Sequence, residues 1–218
     1  MEELIPLYIR QLEVGMMQNF NYLIGDTETK ECAYVDPAWE VDRVLKIAKD
    51  DGYRVTKILC THNHFDHVGG VEELVEATGA EVLIHVDDEK PLKKGKGRIV
   101  SLTDGNDFKI GNLIVTPLNT PGHTPGSTCY LVQAPNEPIQ HLFTGDTLFQ
   151  GNCGRSDLPG GDPKQLYKSL LMLKGLDPST KVYPGHDYGS VPVTTIGYEK
   201  EHNPTMKVKA FGDFDLIP

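Results

Sequence analysis

Directly after the apolar run Ile58-Leu59-Cys60 the chain reads Thr61-His62-Asn63-His64-Phe65-Asp66-His67. A short apolar run of that kind reads as a buried strand. The fold must therefore end a buried strand in a loop crowded with side chains that bind metals. Neutral imidazole and hard carboxylate oxygen are both accepted by one borderline cation. Residues two apart on an extended or looping backbone can face the same way, so His62 and His64 can grip one ion. Asp66 and His67 then turn toward a second position beside it. The competing reading is a polar loop with incidental histidines. Against it, three of the chain's eight histidines stand within these seven residues.

The bulk numbers bound the partners more than the fold. With 218 residues, 39% hydrophobic and 24% charged, the composition is that of a soluble globular protein able to bury a core of good size. No low-complexity tract or linker divides it, so residues 1–218 read as one domain. The net charge of −10 argues against a nucleic acid partner. The one basic cluster, Lys93-Lys94-Gly95-Lys96-Gly97-Arg98, reads as a mobile surface loop after Pro91. Met1 to Pro6 carries no secretory signal, and no stretch approaches a membrane span. Cys32, Cys60, Cys129 and Cys153 lie far apart with no C-x-x-C pair. Reduced thiols and a cytoplasmic location follow as expectations.

The first half alternates strands and helices. Asn21 to Ile24 and Cys32 to Val35 read as strands around a turn at Gly25-Asp26. Glu40 to Asp51 has apolar residues at helical spacing, ended by Gly52. Val55 to Cys60 is a strand, Val68 to Thr78 an amphipathic helix, Glu81 to His85 a strand. In the second half, strands are expected at Leu113 to Leu118, Ser127 to Val132, Gln140 to Thr144 and Lys181 to Tyr183. A helix is expected at Pro163 to Leu173, with Pro in its first turn. Two packed sheets with helices outside would satisfy this order.

Three further pieces share one design: Thr120-Pro121-Gly122-His123, Thr144-Gly145-Asp146 and Pro184-Gly185-His186. Each follows an apolar strand and places Gly immediately before a His or Asp. Glycine lets the backbone turn sharply or approach a site closely. Ligands on such loops can converge at one sheet edge. His85, His141 and His202 have no such setting and read as structural or surface residues.

The order H-x-H-x-D-H, then His, then Asp, then His resembles the metallo-β-lactamase superfamily. The resemblance implies a four-layer αββα sandwich with two divalent metal ions at a sheet edge. It places His62, His64 and His123 on a first ion and Asp66, His67 and His186 on a second, with Asp146 between them. Asp36, in Val35-Asp36-Pro37, resembles the family's aspartate that orients ligands. Zinc is the first expectation, with iron or manganese also compatible. In such enzymes a hydroxide shared by the two ions is the nucleophile, and Asp66 and Asp146 hold the catalytic positions.

Within the superfamily the pattern is closest to glyoxalase II, the hydroxyacylglutathione hydrolases. Thr144 to Phe149, Cys153-Gly154-Arg155 and Gly185-His186-Asp187-Tyr188 carry that likeness. It implies hydrolysis of a small-molecule thioester, with Arg155 and Tyr188 touching the substrate. Two departures weaken glutathione as the thiol carrier. Asp157 stands where those enzymes have an aromatic residue, and the segment after His186 is too short for their C-terminal helical domain. The short glyoxalase II-like hydrolases, with Gly-Arg-x-Asp and Pro159-Gly160-Gly161, are the better match. The rival is a persulfide dioxygenase with one iron on His62, His123 and Asp146. A lactonase and a non-catalytic metal scaffold are the remaining readings.

Overall fold

The computed structural model describes residues 7–95 and 97–214. Lys96, the first six residues and Asp215 therefore lie outside the described residues, with the sequence expectations placed on them. The first sheet holds β1 (Leu7–Val14), β2 (Asn19–Asp26), β3 (Glu31–Val35), β4 (Arg54–Leu59), β5 (Glu81–His85) and β6 (Ile99–Leu102), in chain order across the sheet. The strands β3 to β6 run parallel. Between them come α1 (Val41–Asp50), α2 (Phe65–Val68) and α3 (Val71–Thr78).

The second sheet is built from β7 (Phe108–Ile110), β8 (Leu113–Asn119), β9 (Thr128–Gln133), β10 (His141–Gly145), β13 (Lys181–Pro184) and β14 (Thr194–Thr195). Its spatial order is β14-β13-β10-β9-β8-β7. The short pair β11 (Leu148–Phe149) and β12 (Asn152–Cys153) stands apart as a ribbon. The helix α4 (Pro163–Leu173) precedes β13. The chain then continues into α5 (Ile196–His202), α6 (Pro204–Lys207) and α7 (Phe211–Phe214).

Strand periodicity sorts the core into layers. Side chains alternate across a strand, so Leu23, Cys32, Tyr34, Ile58, Val82 and Ile84 face one way. They pack on Val41, Val44 and Ala48 of α1 and Val71 and Leu74 of α3. Their neighbours Tyr22, Ile24, Ala33, Val35, Leu59 and Leu83 face the other sheet, meeting Leu113, Val115, Tyr130, Val132 and Phe143. The far side of that sheet, Cys129, Leu142 and Val182, packs on Leu166, Leu170 and Leu173 of α4. Three apolar layers between four structural ones make the αββα sandwich. Each fully buried side chain of this size contributes about 1.5–3 kcal/mol. All four cysteines are free, three of them buried. No helix among the described residues is long and apolar enough to cross a membrane.

Three local expectations need correcting. The turn after β2 lies at Thr27 to Lys30, and Gly25-Asp26 belongs to the strand. Asp26 builds that turn from its start, its carboxylate accepting the N–H groups of Glu28 and Thr29. The expected helix over Val68 to Thr78 is broken at Gly69-Gly70. A Cβ on Gly70 would stand 2.4 Å from a methyl of Val41, so the chain there presses against α1. The basic cluster is not wholly free: Lys93 pairs with Glu89, and Arg98 Nη1 is 2.6 Å from Glu81.

Candidate metal centre

Seven side chains reach one place from five segments. His62 and His64 leave the end of β4, and Asp66 and His67 sit in the single turn of α2. His123 follows β8, Asp146 follows β10, and His186 follows β13. Their ligating atoms fall into three overlapping groups: His62, His64 and His123; His62, His67 and Asp146; and Asp66, His67 and His186. Within each group all atoms lie within 4.8 Å of one another. Placing Asp66 and His67 in a helical turn, rather than in a loop, turns both toward His186.

The outer nitrogen of four rings is already engaged. His123 Nδ1 is 2.6 Å from the carbonyl of Arg155, and His186 Nδ1 is 2.9 Å from that of Met17. A carbonyl only accepts, so both rings donate from Nδ1 and turn a lone pair inward at Nε2. Thr61 donates its hydroxyl to Asp36 at 2.7 Å, so it accepts from His62 Nδ1 at 3.0 Å. His67 Nδ1 meets Asp36 Oδ2 at 3.0 Å. Outer hydrogen bonds of this kind fix the tautomer and orientation of metal-binding histidines.

The inner nitrogens then face each other. His62 Nε2 is 3.1 Å from His64 Nδ1, which is 2.9 Å from His123 Nε2. On the other side His67 Nε2 is 3.1 Å from His186 Nε2. Lone pairs at that separation repel unless a proton or cation lies among them. Asp146 Oδ1 adds to the demand. It is buried, stands 3.3 Å from His67 Nε2, and receives no hydrogen bond. A buried acceptor left unmatched costs about 1–3 kcal/mol. These residues fit the binding of a divalent metal ion.

Electrostatics agree on the first side. Burial, reinforced by the neighbouring His67, holds His62 well below the usual imidazole range. Burial and His123 lower His64. Both are thus neutral, the form that ligates. His67 is different: burial pulls it down, but Asp146, Asp36 and Asp66 together raise it to about 9. Burial alone would raise Asp146, but the charge on His67 keeps its carboxyl well below the ordinary range.

Close backbone approach completes the geometry. Gly185 N donates to the carbonyl of Gly145 at 2.8 Å, bringing β13 against β10. A Cβ on Gly185 would lie 2.4 Å from Asp146 Oδ1. Asn19 donates to Asp66 Oδ2 at 3.1 Å, and Phe20 N to Gly185 O at 2.8 Å, so the start of β2 buttresses both the Asp66 turn and the His186 loop.

The centre opens into a cavity of about 450 Å³ walled by Met17, Phe65, Phe149, Leu158, Arg155 and Tyr188 among others. Tyr188 stacks on His186, ring centroids 4.6 Å apart, and is 54% exposed. Arg155 is at the rim with its guanidinium paired to Asp157 at 2.8 and 2.9 Å. A second cavity of about 500 Å³ adjoins through Asn152, Cys153 and Arg155 and reaches Leu166, Thr205 and Phe214. Met17, Phe149 and Leu158 were missed in the sequence, since an isolated apolar residue in a turn, a bend or a two-residue strand carries no local signal of a cavity wall. The histidines His85, His141 and His202 stay outside the three groups. His141 is buried between Tyr183 and Glu137, and His202 stacks on Tyr198.

Comparison with known proteins agrees with this architecture. The metallo-beta-lactamase superfamily model matches residues 14–186. The "Probable polyketide biosynthesis zinc-dependent hydrolase BaeB" of Bacillus velezensis is 33% identical over 178 residues, 81% of this chain and 76% of that protein. A hydroxyacylglutathione hydrolase of Pseudomonas entomophila is 39% identical over 170 residues, 78% of this chain. This chain's match spans only 62% of that enzyme's length. The crystal structure of ETHE1 from Myxococcus xanthus superposes with a TM-score of 0.85 at 35% identity, covering 97% of this chain and 92% of that one. The four-layer sandwich, the family match and relatives that are hydrolases together make this chain a member of the metallo-β-lactamase superfamily, a hydrolase fold carrying a candidate divalent metal centre.

Proposed function

We propose that this chain hydrolyses small-molecule thioesters at a centre for two divalent ions. His62, His64 and His123 would hold one, Asp66, His67 and His186 the other, and Asp146 would serve both. The observation that carries this reading is the inward convergence of ring nitrogens whose outer nitrogens are already bound. The likeness to a zinc-dependent hydrolase and to a hydroxyacylglutathione hydrolase supports it. Two such ions, zinc first, with iron or manganese as alternatives, supply Lewis acidity and acidified water at neutral pH.

The chain's own residues do the positioning. Asp36 orients His67 directly and His62 through Thr61. Asp66 and Asp146 would hold the catalytic positions. Met17, Phe65, Phe149 and Leu158 line the approach with apolar surface. Arg155 and Tyr188 at the rim would contact the thiol carrier. A thiolate leaving group has a pKa of about 8.5, so no strong general acid is needed. Glutathione is one candidate carrier, and residues 1–218 act as a single domain in this reading.

Elemental analysis of protein purified without added metal, followed by thioester assays, tests the proposal. Two ions per chain and turnover abolished by Asp146→Ala are expected. A second reading is a persulfide dioxygenase with one iron on His62, His123 and Asp146. It draws on the 3.5 Å contact between His123 Nε2 and Asp146 Oδ2. One iron per chain with oxygen uptake on glutathione persulfide would replace the hydrolase.

A further inference from the structure

One buried carboxylate outside the seven ties together two of the histidine loops. Asp88 lies just past the end of β5 and is 0% exposed. Its Oδ2 accepts the N–H of Asn63 at 3.2 Å and the hydroxyl of Thr124 at 2.6 Å. Its Oδ1 accepts the N–H of Gly126 at 2.9 Å. Asn63 also donates its side-chain amide to the Asp88 carbonyl at 3.3 Å. Asn63 stands between His62 and His64, and Thr124 follows His123. A single side chain therefore spans the backbones that carry all three rings of the first group. A Cβ on Gly126 would lie 2.7 Å from that of Asp88, so the loop after His123 is shaped around this contact.

The arrangement answers a need specific to His64. Among the described residues, the other four rings of the centre are each held by a hydrogen bond to the outer nitrogen. His64 has none, and its ring points inward through Nδ1. Its direction is set by its backbone, and the N–H preceding that backbone is bound by Asp88. The second group draws its support elsewhere, from Asn19, Asp36 and Met17.

We propose that Asp88 is a positioning residue for the ion held by His62, His64 and His123, setting the affinity of that position and not of its neighbour. The proposal rests on the metal reading given above. Zinc titration against a chromophoric chelator resolves the two binding steps. His64→Ala and His186→Ala assign them, since each removes its own step. In Asp88→Asn the His64-side step is expected to weaken about ten- to a hundredfold, as when other ligand-orienting partners are lost, with the His186-side step within about threefold of wild type. Thr124→Val, which removes one of the three donors, should weaken the same step less, and Thr124→Ser should restore it. Thr124→Val decides the matter alone if Asp88→Asn does not fold. Unchanged affinity at both steps, or equal loss at both, overturns the proposal. Wild-type protein that binds no ion overturns the metal reading, and this proposal with it.

Discussion

Asp36 and His67 are 31 residues apart in the chain and meet at 3.0 Å, the carboxylate Oδ2 against ring Nδ1. The same carboxylate accepts both the N–H and the hydroxyl of Thr61 at 2.7 Å. Asp36 holds this position from left-handed backbone, φ 49°. Asp36→Ala removes the orienter of His67 and, through Thr61, that of His62. Metal affinity is expected to fall about ten- to a hundredfold. Unlike Asp88→Asn, the loss should reach both binding steps, as read by the same chelator competition.

Gly185→Ala drives a methyl group toward Asp146 Oδ1, 2.4 Å away, and toward the Gly145 backbone. The Gly145 carbonyl carbon and oxygen, at 2.9 and 3.0 Å, are backbone and cannot swing clear, so β10 and β13 must part. Overpacking of this kind costs about 1–3 kcal/mol. A lower melting temperature together with fewer bound ions per chain is the expected outcome. A variant that melts like wild type would mean that the β10–β13 contact yields freely.

The Cys153 thiol faces both cavities, yet burial pushes it up to about 11, with Thr205 opposing only in part. A raised thiol pKa means less thiolate, the reactive form. At pH 8 only about one part in a thousand is ionised. Alkylation by iodoacetamide in the native protein should be slow at pH 7 and accelerate about tenfold per pH unit until near 11. Mass spectrometry of Cys153 over a pH series checks this; a rate at pH 7 equal to that of free cysteine would contradict it.

Arg155 is bound by both oxygens of Asp157, with the pair 69% and 68% exposed. That partner must be displaced before the guanidinium can take a substrate carboxylate. Asp157→Asn should therefore lower KM for carboxylate-bearing thioesters such as those of glutathione by about two- to fivefold, the range of an exposed ion pair. Neutral thioesters should be unaffected. Steady-state kinetics on one thioester of each kind makes the comparison.

Where local pattern carried the information, sequence and structure agree closely. The strand Glu81–His85 and the helix Pro163–Leu173 have the same bounds in both, the helix announced by Pro163 in its first turn. Strands β1, β6 and β7 and the three C-terminal helices were not legible. β1 is mixed in polarity because only parts of it are covered, and α5 to α7 are too short for a helical period to show. The break at Gly69-Gly70 was hidden for another reason: it answers to α1, about thirty residues earlier.

The sequence by itself determined the order of layers and the seven side chains that the fold gathers, because each stands shortly after an apolar strand and strands end where their polar loops begin. Only the tertiary structure decided which nitrogen each ring turns inward, that Met17 and Arg155 hold histidines by their carbonyls, and that Asp88 ties together two histidine loops while Asp36 holds His67 and, through Thr61, His62. Those choices depend on hydrogen bonds between segments distant along the chain, and backbone carbonyls have no residue identity to read. The seven names were local facts; their directions were not.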